Sequence, residues 1–136
     1  MVNELKIANK LIGRNHPPFI IAEMSGNHNQ SLERALEIVV AAAKTGAHAL
    51  KIQTYTPDTM TLDLDEREFH ISDSNSLWAG NSLYKLYGAA YTPWEWHKPI
   101  FERARELGII AFSTPFDDTA VDLLESLEVP CYKIAS

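Results

Sequence analysis

The fold is decided by the stretch Phe19-Ile20-Ile21-Ala22-Glu23-Met24-Ser25-Gly26-Asn27-His28-Asn29, an apolar run that ends on a carboxylate and opens into small and polar residues. This pattern predicts a buried strand that delivers an acid to a polar loop, with a helix to follow. Because the burial of an unpaired charge is costly, a glutamate at the end of such a run indicates a functional residue rather than a packing one.

Three further segments repeat this pattern of an apolar run with a polar end. They are Ala49-Leu50-Lys51-Ile52-Gln53-Thr54, Ile110-Ala111-Phe112-Ser113-Thr114-Pro115 and Tyr132-Lys133-Ile134-Ala135-Ser136. If all four segments are strands of one parallel sheet, their polar ends meet at the same edge of that sheet. The sequence therefore predicts one polar site built from several strand ends.

Helices are predicted between these strands. Ser31 caps a first helix with apolar residues at helical spacing, and Gly46 ends it. Thr92-Pro93-Trp94-Glu95 has the pattern of a capping box, with Thr92 as the cap of a second helix. That helix is expected to bury Trp96, Ile100, Ala104 and Leu107, and Asp117 is expected to cap a third helix. Helices between successive strands require parallel pairing and right-handed crossovers.

Two folds fit this alternation, a doubly wound sheet and part of a (β/α)8 barrel. A barrel draws its site from several strand ends, so we predict an α/β fold, the N-terminal part of a TIM barrel with about four strands and three helices. A short β-hairpin at 5–13 precedes it. A whole barrel needs roughly 250 residues, and this sequence has 136. We therefore expect residues 1–136 to be the N-terminal half of a TIM-barrel domain, with an insertion at about 55–90.

Composition excludes several classes of protein. The formal net charge of −6 argues against a nucleic-acid-binding protein, which is usually basic. The single cysteine, Cys131, excludes an internal disulfide framework. No apolar run is long enough to span a bilayer, and the first residues lack the pattern of a signal peptide. We expect a cytoplasmic protein that binds neither nucleic acid nor membrane.

Strand alternation predicts that one face of the sheet carries the chemistry. The candidate residues on it are Glu23, Lys51, Gln53, Thr114 and Lys133. Two lysines with hydroxyl groups nearby suit a small anion that bears phosphate or carboxylate groups, and Ser136 lies close to them in sequence. Glu23 complements the lysines and is able to move a proton. The alternative is that Glu23 and Lys51 form a buried structural ion pair.

Other polar residues are weaker candidates. His28, beside Asn27, is placed to contact a sugar hydroxyl or a metal, although a lone histidine in a polar turn more often caps or supports a site. Asn81 and Tyr84 are placed to contact a polar substrate from the insertion, and His97 is expected on the surface or behind the site. The sequence lacks the HExxH, GxGxxG, Walker and GxSxG motifs, so it predicts neither a metalloprotease, a nucleotide-binding site nor a serine hydrolase.

Four ordered motifs of this sequence resemble the sialic acid synthase family. They are Ala22-Glu23-Met24-Ser25-Gly26-Asn27-His28-Asn29, Lys51-Ile52-Gln53-Thr54, Phe112-Ser113-Thr114-Pro115-Phe116 and Tyr132-Lys133-Ile134-Ala135-Ser136. Within that family, segments such as Tyr91-Thr92-Pro93-Trp94-Glu95-Trp96-His97 are most similar to those of pseudaminic acid synthases. The resemblance implies a (β/α)8 barrel followed by a small antifreeze-like domain, which is absent here and which would contribute to the site of a homodimer partner.

The resemblance also implies roles for individual residues. Phosphoenolpyruvate would be held by Lys51, Thr114, Lys133 and Ser136. Glu23 would sit beside the reacting centre with Gln53 near it, and Asn81 would contact the sugar. The family uses a divalent metal, manganese or magnesium, whose main ligands are expected outside this chain.

The implied reaction joins the enol carbon of phosphoenolpyruvate to the open-chain aldehyde of an N-acylated amino sugar, with addition of water and release of phosphate. The metal would polarise the aldehyde. N-acetylneuraminate synthesis, or another phosphoenolpyruvate-dependent sugar aldolase, is the alternative. An alternative of another class is an inactive half-barrel that only self-associates.

Overall fold

The computed structural model describes residues 4–136. The chain begins with an antiparallel hairpin of strands β1 (Glu4–Ile7) and β2 (Lys10–Gly13). Ala8 occupies the tight turn between them with a φ of 50°. The predicted hairpin is therefore confirmed. Residues 1–3, which begin the N-terminal segment used above to argue against a signal peptide, lie outside the described residues.

A three-stranded parallel sheet forms the centre of the chain. Its strands are β3 (Ile21–Glu23), β4 (Ala49–Thr54) and β5 (Ile110–Pro115), and they lie in that order. In the register, Glu23 pairs with Lys51, and Lys51 pairs with Phe112. Gln53 pairs with Thr114 one step further along. The strand ends that bear the candidate residues therefore meet at one edge, as the sequence predicts.

Helices connect these strands and cover one face of the sheet. They are α1 (Leu32–Lys44), α4 (Trp94–Glu106) and α5 (Asp118–Ser126). Leu50 and Ile52 of β4 face these helices and are fully buried with Val39, Ile100 and Leu124. This is the alternation predicted for β4, and burial of these side chains is the main force that holds helices to the sheet.

The caps of α1 and α5 are those predicted. The hydroxyl of Ser31 accepts from the Arg34 N–H, and the carboxylate of Asp117 accepts from the N–H groups of Thr119 and Ala120. The cap predicted for α4 is wrong. Helix α4 begins after Pro93 with no side-chain cap, because the hydroxyl of Thr92 is buried and used elsewhere.

The segment predicted as an insertion lies between β4 and α4. It holds helix α2 (Pro57–Met60), a single 3₁₀ turn (Arg67–Phe69) and helix α3 (Leu83–Ala90), and α2 packs against α3. Several of its apolar residues are exposed, with Leu77 reaching 98%. No helix in residues 4–136 is long and apolar enough to cross a membrane.

The fourth predicted strand forms only one bridge to the sheet. A single parallel bridge joins Tyr132 to Ser113 of β5, and the Lys133 N–H donates to the Ser113 carbonyl. Residues 131–134 therefore do not form a regular strand, because β5 is their only neighbouring strand in the described part of the chain. The buried stripe of α4 also differs from the prediction. Leu107 is 37% exposed, whereas His97 and Phe101 are buried.

Candidate active site

An ion pair between Glu23 and Lys51 lies at the carboxyl ends of β3 and β4. The Lys51 ammonium contacts the Glu23 carboxylate, whose other oxygen accepts from the Ser25 N–H at 3.2 Å. The Glu23 side chain is 40% exposed and that of Lys51 is 16% exposed. An ion pair in this position contributes little to stability. Both groups are reachable from solvent, so they are able to meet a ligand.

Gln53 lies two residues beyond Lys51 on β4 and extends the site towards the end of that strand. Its side-chain oxygen accepts from the Ser25 hydroxyl at 3.4 Å, and its backbone pairs with Thr114 across the strand. Ser25 therefore contacts both Glu23 and Gln53, a role that the sequence analysis missed. Its φ of 51° is unusual for a residue other than glycine, and such backbone strain is typical of sites whose surroundings fix a loop.

Thr114 lies on the same face of the sheet as Gln53. Its side chain is buried, yet its hydroxyl has no hydrogen-bond partner in residues 4–136. Buried hydroxyl groups are normally paired, because an unpaired one costs free energy. The free Thr114 hydroxyl lies at the end of β5, opposite Gln53 and two residues along the strand from the pair of Lys51, so it is suited to donate to an anionic ligand.

Lys133 and Ser136 follow the bridge to β5. Paired residues of parallel strands share a face, so Tyr132 lies with Ser113 towards the helices and Lys133 lies with Thr114. The contact between the Tyr132 hydroxyl and Glu125 of α5 agrees with this orientation. Lys133 and Ser136 are both exposed. The structure thus brings Lys133 to the predicted face and leaves Ser136 beyond the sheet.

The loop after β3 is tied to the end of the insertion. The side-chain amide of Gln30 donates to the carbonyl groups of Ala89 at 3.1 Å and Tyr91 at 2.7 Å. A Cβ atom on Gly26 would lie 3.0 Å from the Ala90 carbonyl oxygen, so only glycine allows this approach without a shift. The insertion is therefore held against the loop that carries Ser25.

Asn27 and His28 stabilise that loop. The Asn27 side chain donates to the Met24 carbonyl at 2.8 Å. His28 is fully buried, its Nδ1 accepts from the Gln30 N–H at 3.2 Å, and its Nε2 bonds the Thr92 hydroxyl at 3.1 Å. Burial lowers the pKa of His28, so the ring is neutral and Nε2 carries the proton. The His28 ring is engaged at both nitrogens and is not presented to a sugar or a metal.

The two candidates in the insertion form hydrogen bonds with other residues of the insertion. The backbone of Asn81 bonds Ile71 and Trp78 within the insertion. The Tyr84 hydroxyl donates to Asp58 at 3.0 Å, which raises the pKa of that tyrosine. The hydrogen bonds of both residues are therefore local to the insertion.

A buried polar cluster lies directly behind the site. The Thr54 hydroxyl is 2.8 Å from Nε2 of His97 and 2.6 Å from the hydroxyl of Ser113. All three residues are fully buried. The cluster was not predicted from the sequence, and of the two places expected for His97, the surface or behind the site, the buried one behind the site is where it lies. Two signals pointed to it, since Thr54 and Ser113 alternate onto the helix-facing side, and His97 lies one helical turn before Phe101.

The residues present do not form a metal site. Residues 4–136 contain no group of three or more His, Cys, Asp or Glu side chains able to hold a metal ion. The imidazole rings of both His28 and His97 are engaged at both nitrogens.

Comparisons with known proteins match the chain to one family. The model of the NeuB family matches residues 38–136. A pseudaminic acid synthase of Campylobacter jejuni is 52% identical over 118 residues, which are 87% of this chain and 34% of that protein. A pseudaminic acid synthase of Helicobacter pylori is 51% identical over 120 residues, 88% of this chain and 35% of that protein. The chain thus spans about a third of the length of these relatives.

Solved structures give the same fold. An N-acetylneuraminic acid synthetase of Leptospira borgpetersenii aligns with a TM-score of 0.78 at 29% identity, over 96% of this chain and 40% of that one. The spore coat polysaccharide biosynthesis protein SpsE of Bacillus subtilis aligns with a TM-score of 0.72 at 34% identity, over 98% and 33%. The chain therefore has the fold of the N-terminal part of a (β/α)8 barrel.

Proposed function

This chain belongs to the NeuB family, and on that premise we propose that the full-length protein condenses phosphoenolpyruvate with an N-acylated amino sugar. The product is a nonulosonic acid, and phosphate is released. The observation that carries the proposal is the buried, unpaired hydroxyl of Thr114 on the face that also holds Glu23 and Lys51. A cation and a free donor at the ends of adjacent strands suit a ligand that carries both phosphate and carboxylate groups.

Phosphoenolpyruvate binding is assigned to the sheet face. Lys51 and Lys133 balance the charges of its phosphate and carboxylate, and the Thr114 hydroxyl donates to one of its oxygens. Ser136 adds a second hydroxyl donor once the chain after Tyr132 is drawn towards the sheet. Gln53, fixed by Ser25, lies beside the ligand. Because Lys51 is mostly screened from water, its charge acts more strongly on a ligand than an exposed lysine would.

The reaction forms one carbon–carbon bond. The enol carbon of phosphoenolpyruvate attacks the aldehyde carbon of the open-chain sugar, and the aldehyde oxygen takes up a proton. The oxygen of a water molecule bonds to the adjacent carbon of phosphoenolpyruvate. The bond between that carbon and the phosphate oxygen then breaks, phosphate leaves with the electron pair of that bond, and the carbon becomes a ketone. We assign Glu23 to orient that water and accept its proton, because its carboxylate is held by Lys51 and Ser25 and is still exposed.

The full-length protein has further parts beyond residues 1–136 in this proposal. Residues 1–136 form the N-terminal half of the barrel domain, with the insertion at about 55–90 beside the site. The remaining barrel and an antifreeze-like domain follow, and they supply the ligands of a divalent metal. The sugar is the precursor of pseudaminic acid, because identity is 51–52% to pseudaminic acid synthases and 29% to N-acetylneuraminate-9-phosphate synthases. The protein acts as a homodimer in the cytoplasm.

The decisive experiment uses the full-length protein with phosphoenolpyruvate, a divalent cation and the sugar precursors of pseudaminic and N-acetylneuraminic acids. Phosphate release is measured, and the product is identified by mass spectrometry. We expect the pseudaminic acid precursor to be preferred. Glu23→Gln keeps the shape of the side chain and removes its basicity, so kcat should fall by about 100-fold or more.

Glu102→Gln is the matched control, since Glu102 is an exposed glutamate of α4 that pairs with Lys98 at 3.9 Å. It should leave kcat unchanged. A full turnover rate in Glu23→Gln would remove Glu23 from the mechanism. If no precursor releases phosphate, the proposed reaction itself is wrong.

A further inference from the structure

The polar cluster of Thr54, His97 and Ser113 connects helix α4 to two strands of the sheet. His97 donates from Nδ1 to the Pro93 carbonyl at 3.2 Å within the first turn of α4. Its other nitrogen faces the Thr54 hydroxyl on β4, which in turn meets the Ser113 hydroxyl on β5. The three side chains therefore form one buried chain of hydrogen bonds from α4 through β4 to β5.

The hydrogen positions in this cluster follow from its partners. The Pro93 carbonyl only accepts, so Nδ1 of His97 carries the proton and Nε2 accepts from the Thr54 hydroxyl. Thr54 then accepts from Ser113, whose hydroxyl oxygen also lies 3.1 Å from the Ile52 carbonyl oxygen and shares its one hydrogen between the two acceptors. Burial lowers the pKa of His97 to about 4, so this neutral form is the one present near neutral pH. Removal of the acceptor at Nε2 would free the Thr54 hydrogen to turn towards Ser113, whose own hydrogen would then go to the Ile52 carbonyl, so the hydrogen bond between β4 and α4 would be lost.

The cluster lies one residue behind the face that meets the ligand. Thr54 follows Gln53 directly, and Ser113 precedes Thr114 directly. Gln53 and Thr114 are paired in the register of β4 and β5. The hydrogen bond that joins Thr54 to Ser113 on the opposite face of the sheet therefore adds a side-chain link between β4 and β5 to the backbone ladder that spaces Gln53 and Thr114.

We propose that His97 is a positioning residue that, through Thr54 and Ser113, fixes the spacing of Gln53 and Thr114 for phosphoenolpyruvate. His97 does not touch the ligand. Its imidazole ring sets the direction of the Thr54 hydroxyl and thereby the side-chain hydrogen bond between Thr54 and Ser113 near the end of the β4–β5 ladder. This inference rests on the function proposed above, and it assigns part of the ligand's affinity to a residue on the far side of the sheet.

The test compares variants of the full-length protein. His97→Leu removes the acceptor, and we expect the KM for phosphoenolpyruvate to rise on the order of tenfold, the scale of one lost well-placed contact. The KM for the sugar should stay unchanged. His97→Gln keeps an oxygen that accepts from Thr54, so it should restore the KM for phosphoenolpyruvate to within about twofold of wild type.

Phe101→Leu is the matched control, because Phe101 packs against His97 in the same helix and makes no hydrogen bond with it. It should lower stability without raising the KM. Equal KM increases in Phe101→Leu and His97→Leu would reduce His97 to a packing residue. If His97→Leu does not fold, Thr54→Val removes the same hydrogen bond with little change in volume and must raise the KM in the same way.

A readout without activity separates this inference from the proposed reaction. In ¹⁵N NMR of the wild-type protein, the ring of His97 should be neutral and protonated at Nδ1, and that of His28 neutral and protonated at Nε2. In His97→Leu, the amides of Gln53 and Thr114 should exchange hydrogen faster. If the wild-type protein gives these signals but is inactive, only the proposed reaction is overturned. If the His97 ring is protonated at Nε2, or if amide hydrogen exchange at Gln53 and Thr114 is unchanged in His97→Leu, the positioning role is overturned.

Discussion

His28 and His97 are both fully buried and neutral, yet they carry their protons on opposite ring nitrogens. His28 donates from Nε2 to the hydroxyl of Thr92, and His97 donates from Nδ1 to the carbonyl of Pro93. The two imidazole rings thus bond to two adjacent residues just before α4, His28 to Thr92 and His97 to Pro93. One ring belongs to the loop after β3, and the other connects to β4 and β5 through Thr54.

Acid should weaken this arrangement. Burial lowers the pKa of His97 from 6.5 to about 4. Between these two pH values the unfolded chain therefore binds a proton at His97 that the folded chain does not bind. Stability is therefore full above about pH 6.5 and falls as the pH drops towards 4. The loss reaches about 3 kcal/mol, at about 1.4 kcal/mol for each pKa unit.

The measurement is the urea midpoint of the full-length protein at about pH 7 and about pH 5, for wild type and His97→Gln. The glutamine has no proton to gain, so the midpoint of this variant should fall less between the two pH values. An equal fall in both proteins would show that other groups control the acid transition.

Strand alternation was enough to predict that Glu23, Lys51, Gln53 and Thr114 share one face, because the period of a strand is two and the register follows from it. The role of Thr92 was beyond such reasoning. Its sequence pattern is that of a helix cap, but the tertiary contact with His28 takes its hydroxyl. Local propensity is overridden when a buried partner competes for the same group.

At the scale of elements, the helices were predicted well because their amphipathic stripes are long. The regular strand expected at 131–134 is not formed, because this segment pairs only with β5 and makes a single bridge to it. Parallel strands are normally buried in a sheet with neighbours on both sides. The structure of the insertion was also unpredictable, since its short helices carry little periodic signal.

The cap of α5 offers a direct test at this scale. Asp117 accepts from the Thr119 N–H at 3.0 Å and the Ala120 N–H at 3.3 Å. Asp117→Ala leaves these donors unpaired and should cost about 1 kcal/mol in the free energy of unfolding, read from the urea midpoint of the full-length protein. Asp117→Asn should keep most of that stability.

Asp122 is an exposed aspartate in the middle of the same helix, so Asp122→Ala is the comparison for a charge lost without a cap. No loss of stability is expected from it. Similar losses at both positions would mean that charge rather than capping supports α5.

For the whole molecule, the described chain exposes apolar residues at both edges of its parallel sheet. Ile21 in β3 is 44% exposed, Ile20 just before it is 52% exposed, and Ile134, which follows the bridge from Tyr132 to β5, is 81% exposed. Strand edges with unpaired backbone groups and apolar side chains are templates for pairing with another chain. The sequence analysis placed these residues in strands, but it had no means to show which edges would be left uncovered.

We therefore expect the 136-residue chain, produced alone, to self-associate and to lack synthase activity. Light scattering should give a mass at least twice that of the monomer. Ile21→Lys places a charge on the edge strand and should reduce the association. A wild-type chain that stays monomeric would contradict this expectation.

The tether between the loop after β3 and the end of the insertion separates the interior of the insertion from the sheet edge. The insertion is fastened where it starts, by the Trp94 indole on the Tyr55 carbonyl, and where it ends, by Gln30 on Ala89 and Tyr91. A change in the residues between these anchor points therefore need not move the sheet edge that holds Glu23 and Lys51.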